Sequence, residues 1–170
     1  GQPGAGGTDQ EGDTFTSVII GSQEWMSVNL SVATYSDGTP IPELTGNESE
    51  WYATTTGAWC WYNNDSATYA ATYGRLYNWY AVVGIYDAAS AADPSLRKQL
   101  APSGWHVPND GEFLDLFVSL DPNTTIIGPN SASSTIAGGL MKTTGTRQQG
   151  TGLWDHPNYM ASNASGFSGV

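Results

Sequence analysis

Few residues of this chain are of types that do chemistry at neutral pH. The chain has two histidines, one cysteine and 16 acidic residues against five Lys and Arg. His106 lies between Trp105 and Val107, in a segment bounded by Pro102 and Pro108. It is a candidate metal ligand or general base. No Cys or His accompanies it nearby, so the simpler expectation is a structural histidine bonded to a backbone carbonyl. His156 follows Asp155 and precedes Pro157, as in a solvated loop. A zinc site would need both histidines. Cys60 stands between Trp59 and Trp61 with no basic neighbour, so it reads as a small buried hydrophobe and not as an activated thiol.

Oxygen ligands are a second possibility. Asn63, Asn64 and Asp65, with Asp37 or Asp110, could hold Ca²⁺, which takes about six to eight oxygens. The same residues are also turn formers, because Asn and Asp tolerate left-handed geometry and bond their own backbone. No EF-hand spacing is present. Aromatic residues beside polar loops offer a third chemistry. Trp51, Tyr52, Tyr62 and Trp154 could stack on sugar rings, whereas Trp25, Trp79 and Trp105 are expected in the core. Glu43, Glu48 and Glu50 lack the apolar surroundings that would raise a carboxyl pKa for glycosidase chemistry. The expectation is a non-enzymatic protein requiring no cofactor, with Ca²⁺ as the open alternative.

Composition narrows the classes. At 170 residues, one domain is the default, and a sizeable core is within reach. Charged residues are only 12%, about half the usual share, and polarity comes from Ser, Thr, Asn and Gly. A net charge of −11 argues against nucleic acid and anionic membrane surfaces, which need clustered Lys and Arg. A single cysteine excludes an intrachain disulfide. No apolar run approaches the ~20 residues that span a bilayer, and no signal-peptide pattern opens the chain.

The elements that would position these groups are short. Residues 1–14 are Gly-rich and read as a flexible tail or linker. Val18-Ile19-Ile20 and Glu24-Trp25-Met26 are strands joined through Gly21-Ser22, a two-residue turn with positive φ. Val32 to Tyr35 reads as a strand, Asp37-Gly38 as a turn, and 43–50 as a polar loop. Trp59 and Trp61 alternate onto one strand face. A first helix is expected over 73–83, with Leu76, Trp79, Tyr80 and Val83 as its apolar stripe. An Ala-rich loop follows. A second helix is capped by Asn109 and Glu112, with Phe113, Leu116, Phe117 and Leu120 buried. Residues 124–135 read as a polar loop holding Ile126-Ile127, and Gly138 to Lys142 as a helix end or strand start.

These motifs, taken in order, resemble a known family. They are Gly21-Ser22-Gln23-Glu24-Trp25-Met26, Tyr35-Ser36-Asp37-Gly38-Thr39-Pro40-Ile41-Pro42, Trp59 to Asp65, Gly74 to Val82, Leu100 to Pro108 and Asn163 to Ser168. Over 15–167 the chain is similar to the Fibrobacter succinogenes major paralogous domain. The resemblance implies an α+β, C-type-lectin-like fold: two helices, short twisted antiparallel sheets and long loops. It implies a secreted or cell-surface location and a role in adhesion, as a module that binds a glycan or a surface protein. A structural subunit of a surface filament, fibre or phage-like appendage, self-associating into a homo-oligomer, is the alternative. The family has no established catalytic set, so none transfers. Members continue past the Ser-Gly-Phe motif with a Gly-rich β segment, so 15–170 is expected to be a domain lacking that segment. Asp65-Ser66-Ala67 also resembles an O-glycosylation acceptor, which marks Ser66.

Overall fold

A computed structural model describes residues 1–46, 48–128 and 131–169. The architecture is mixed α+β with short antiparallel sheets. In chain order the strands are β1 Gln2–Pro3, β2 Gly7–Thr8, β3 Thr14–Phe15, β4 Ser17–Ile20, β5 Gln23–Met26, β6 Trp59–Cys60, β7 Leu76–Tyr77, β8 Thr125–Gly128 and β9 Ser131–Ser133. The helices are α1 Glu48–Ala53, α2 Ser66–Tyr73, α3 Trp79–Val82, α4 Ala88–Ala92, α5 Asp110–Leu120 and α6 Ala137–Met141. The chain forms two compact units. One comprises Gly1–Gly7, Phe15–Val28 and Pro108–Val170, the other Thr8–Thr14 and Asn29–Val107.

The first unit is organised on a three-stranded sheet in the order β1-β4-β5. β4 and β5 form the expected hairpin, with Val18 opposite Trp25, and Gly21 at φ +62° makes the turn. Helix α5 follows the sequence closely. Asn109 accepts from the Gly111 and Glu112 amides while Glu112 reaches back to the Asn109 amide, a complete capping box. Its Leu116 is fully buried against Ile20 and Trp25, with Val18, Leu120, Met141 and Phe167 around them. Phe113 is more exposed than its place in the stripe suggests, yet its ring lies 5.3 Å from that of Trp25. Residues 124–135, expected as a loop, instead form the β8–β9 hairpin. Its base is tied by the buried Asp121, which accepts from Ser134 Oγ at 2.7 Å and from the Asn123 amide at 2.9 Å. The opening residues, expected as a tail, carry β1, which pairs Gln2 with Ile19 and Pro3 with Val18.

The second unit is built round Val32, Tyr35, Ile41, Trp59, Ala81 and Leu100. Here the expected helix over 73–83 does not exist as one element. Leu76 and Tyr77 are extended and pair with Cys60 and Trp59. The reason is Asn78, which lies inside the expected helical span but acts as a cap. Its Oδ1 accepts from the Ala81 amide at 2.9 Å and from the Ala58 amide at 3.1 Å, and its Nδ2 donates to Thr56 O at 2.9 Å. Helix α3 therefore starts at Trp79, whose side chain is 61% exposed, not core as expected. The Ala-rich stretch contributes α4, and α1 lies within the expected 43–50 loop and just beyond it. Val32 to Tyr35 forms only an isolated bridge, Thr34 to Pro40.

Side chains satisfy much of this irregular backbone. The Tyr77 hydroxyl accepts from the Val32 amide at 2.6 Å and donates to Val32 O at 2.7 Å. Trp59 Nε1 donates to Ile41 O at 2.8 Å in the core. Arg75 lies over the Trp59 ring at 4.5 Å and the Trp61 ring at 5.0 Å, and its guanidinium donates to Ser31 O. The two indoles meet edge to face at 5.2 Å, so their expected shared face is real. Gly57 is required because a Cβ there would overlap the Tyr35 hydroxyl.

Three outcomes follow for stability. Asn78→Ala should lower the unfolding free energy by about 2–3 kcal/mol in urea denaturation, because two amides and a carbonyl lose their partner. Tyr77→Phe should cost about 1–3 kcal/mol in the same measurement, since both backbone groups of Val32 are left unpaired. Tyr35 differs. It is 1% exposed and its hydroxyl has no hydrogen-bond partner among the described residues. Tyr35→Phe should therefore be neutral or stabilising at pH 7. Burial pushes the Tyr35 phenol up to about 12. A phenol titrates near ~10 when unfolded, so its stabilisation is complete below that pH and fades as pH rises from there toward 12. The unfolding free energy of Tyr35→Phe should fall off less steeply over that alkaline range than that of the parent chain; an identical pH profile would contradict the assignment.

Candidate binding surface

Three tyrosines gather in the second unit at the turn entering α2, Tyr62 exposed and Tyr69 and Tyr73 half-buried. Trp61 leads into a short 3-10 turn at Tyr62–Asn64. Asn63 and Asn64 both hold left-handed backbone, at φ 54° and 53°, which asparagine tolerates better than most residues. Asp65 then caps α2, its carboxylate accepting from the Thr68 amide at 3.0 Å. Hydrogen bonds from Thr68 hold that carboxyl below the ordinary aspartate range. Gly74 at φ +65° ends the helix, its amide bonding Ala70 O at 3.0 Å.

No residue of α2 is buried. Tyr69 and Tyr73 are one turn apart and so project on the same side. Tyr62 reaches back from the turn to join them. Its ring centroid lies 4.9 Å from that of Tyr69 and 5.6 Å from that of Tyr73, and the latter two stack at 5.9 Å with 27° between planes. The result is a three-tyrosine platform, with Tyr62 itself 46% exposed. Asn63, Asn64, Ser66 and Thr68 are exposed beside it and supply polar donors and acceptors.

Of the four aromatic candidates, Tyr62 is in this platform. Tyr52, on α1, is 82% exposed, while its neighbour Trp51 is half-buried. Trp154 belongs to the other unit, where it is half-buried, donates its indole N–H to Gly169 O at 3.1 Å and carries Lys142 Nζ 5.2 Å from its ring. It is a packing residue more than an open stacking face. Tyr69 and Tyr73 were not singled out in the sequence. The signal was there: two tyrosines at i and i+4, with a third seven residues before the first.

The oxygen-rich group reads differently in three dimensions. Asp65 is engaged as a helix cap, and Asn64 Nδ2 donates to Gly46 O at 3.4 Å. Asp37 is committed to Lys98, an ion pair that holds its carboxyl at about 2. Asp110 opens α5 in the other unit. Among the described residues no group of three or more His, Cys, Asp and Glu is placed to hold a metal ion. His106 and His156 are both exposed and belong to different units. The Cys60 thiol is pushed up, first by burial and then by the Glu43 charge, opposite to what an activated nucleophile needs. Ser66 is exposed at the first position of α2. Among the described residues no helix is long and apolar enough to cross a membrane.

Comparison with known proteins finds a family match. The model of the Fibrobacter succinogenes major domain fits residues 18–170. No curated protein and no solved structure matches. The matched span takes in Gly21 to Met26, Tyr35 to Pro42, Trp59 to Asp65, Gly74 to Val82, Leu100 to Pro108 and Asn163 to Ser168, the segments whose order suggested the family in the sequence. The chain belongs to the Fibrobacter succinogenes major domain family.

Proposed function

We propose that this protein is a non-enzymatic binding module of the extracellular or cell-surface space, with a C-type-lectin-like fold, acting in adhesion. The observation that carries this reading is the cluster of the exposed Tyr62 with the half-buried Tyr69 and Tyr73, at the start of a helix that has no fully buried residue. An aromatic ring presents an apolar face to the C–H side of a sugar while its hydroxyl bonds the sugar's own hydroxyls. Neutral glycans fit a chain of charge −11 better than nucleic acid or acidic polymers do. A glycan is therefore the preferred ligand, and a surface protein presenting a small apolar patch is the other partner of this class. The module needs no cofactor. Ca²⁺ at Asn63 and Asn64 would recruit backbone oxygens, since Asp65 serves the helix. Ser66, exposed next to the platform, is the proposed glycosylation position.

A second reading is a structural subunit of a surface filament. It is favoured by the β8–β9 hairpin, where Ile126 and Ile127 are 59% and 68% exposed on adjacent positions of a two-stranded sheet.

The two readings separate experimentally. On an array of neutral oligosaccharides, the binding reading expects a defined set of ligands, with Tyr62→Ala and Tyr69→Ala each weakening binding ~3–10-fold. Binding unchanged in both variants would remove the platform from the function. In light scattering, the filament reading expects concentration-dependent polymers that Ile127→Asp disperses. A monomer at all concentrations would discard it.

A further inference from the structure

The first unit contains a site that is already occupied, by the chain's own first residues. Four of the first seven residues are glycine, in the order Gly-Gln-Pro-Gly-Ala-Gly-Gly. Each glycine lies where a side chain could not. A Cβ on Gly4 would overlap Ser17 Oγ and Glu24 Oε1, and one on Gly1 would overlap Ser165 O. A Cβ on Gly6 would come to 2.5 Å of Phe15 O, and one on Gly7 to 2.5 Å of the Phe15 ring. Gly6 also requires φ +66°. Recognition runs through the arm's backbone. The Gly4 amide donates to Ser17 O at 3.0 Å, the Ala5 amide to Glu24 Oε1 at 2.7 Å, and the Gly6 amide to Ser17 Oγ at 2.8 Å. Ser17 Oγ donates in turn to Glu24, which aligns the pair and holds the Glu24 carboxyl below its ordinary range.

The groove beside β4 therefore reads an extended strand by its lack of side chains. The arm is held by polar backbone contacts and not by apolar burial. β1 makes only two ladder positions, and Gln2 and Pro3 are exposed, so little apolar area is buried with it. Pro3 lacks an amide, as an edge strand allows. Once the arm leaves, β4 becomes an edge strand, with Ser17 O released from the Gly4 amide and the exposed Ile19 side chain beside it. The groove is indifferent to which chain supplies the glycines, because an exchanged arm makes the same contacts.

We propose that the groove formed by β4, Ser17, Glu24 and Phe15 is a binding site for an extended Gly-rich strand, and that its partner is the residue 1–7 arm of a second copy of this chain. Arm exchange would link copies through the β1-β4 ladder, independently of any glycan bound elsewhere.

The test uses the full chain with Cys60→Ala. Gln2→Cys and Ile19→Cys are placed on separate chains, because residues 2 and 19 are ladder partners. The two variants are mixed, incubated over a range of concentrations and oxidised, and the linked peptides are read by mass spectrometry. A chain carrying both substitutions reports whether the link can form within one molecule. The proposal expects interchain 2–19 links that rise with concentration and exceed 2–2 and 19–19 links several-fold. Adding Gly4→Val to the Gln2→Cys chain should abolish them, because the side chain collides with Ser17 and Glu24. Intrachain links with no interchain 2–19 link would overturn exchange. A random mixture of links, or indifference to Gly4→Val, would overturn a selective groove. No 2–19 link in either format would remove the arm from β4.

Discussion

The Tyr77 hydroxyl, held by both the amide and the carbonyl of Val32, closes the second unit. It faces the difficulty this whole chain faces. Regular structure is scarce, so long stretches of buried backbone have no ladder or helix to satisfy them, and an orphaned amide costs as much as a lost hydrogen bond. Side chains take over that role. Tyr77 does it for Val32, Asn78 for Thr56, Ala58 and Ala81, and Trp59 for Ile41. Gln10 does the same for Thr34 and Leu100. The Tyr77 phenol, protonated at neutral pH and pushed further up by burial, donates as well as accepts.

The aromatic content divides along the same line. Trp59, Trp61 and Tyr77 are consumed in structure, and Arg75 is spread over two indoles instead of reaching solvent. Trp25 does the equivalent in the first unit, meeting Phe113 at 5.3 Å and Phe167 at 5.7 Å around the buried Leu116. Tyr62, Tyr69 and Tyr73 are left over, on a helix with no core face. Tyr62 is exposed with the half-buried Tyr69 and Tyr73 against it, an unusual gathering of rings for a surface whose other polar groups are short. That surplus, more than any titratable residue, is where a functional reading finds purchase. The occupied groove beside β4 is its counterpart in the first unit, with recognition by backbone and glycine in place of rings.

Legibility from sequence tracked the range of the interactions involved. Asn109 and Glu112 are three residues apart and made the capping box they announce. Gly21 turned β4 into β5, and Asp37-Gly38 turned the chain as expected, with the Gly38 amide on Tyr35 O at 2.8 Å. Trp59 and Trp61 shared a face. The failures came where a distant partner outbid a local pattern. Leu76, Trp79, Tyr80 and Val83 have helical spacing, but Asn78 is claimed by Ala58 and Thr56, and Tyr77 by Val32, so the segment breaks into strand, cap and a single turn. The Gly-rich opening has the composition of a linker, yet its glycines match walls supplied by Phe15, Ser17, Glu24 and Ser165, none of them a near neighbour in the chain.

By itself, then, the sequence determined the family, the mixed α+β class, the tight turns and the capped helix α5, because each rests on neighbours in the chain or on the order of motifs. Only the tertiary structure decided which tryptophans are buried, that Asp65 and Asp37 are spent on a cap and an ion pair, and that three tyrosines converge. Those outcomes depend on which backbone groups remain unsatisfied after folding, and no local pattern records that.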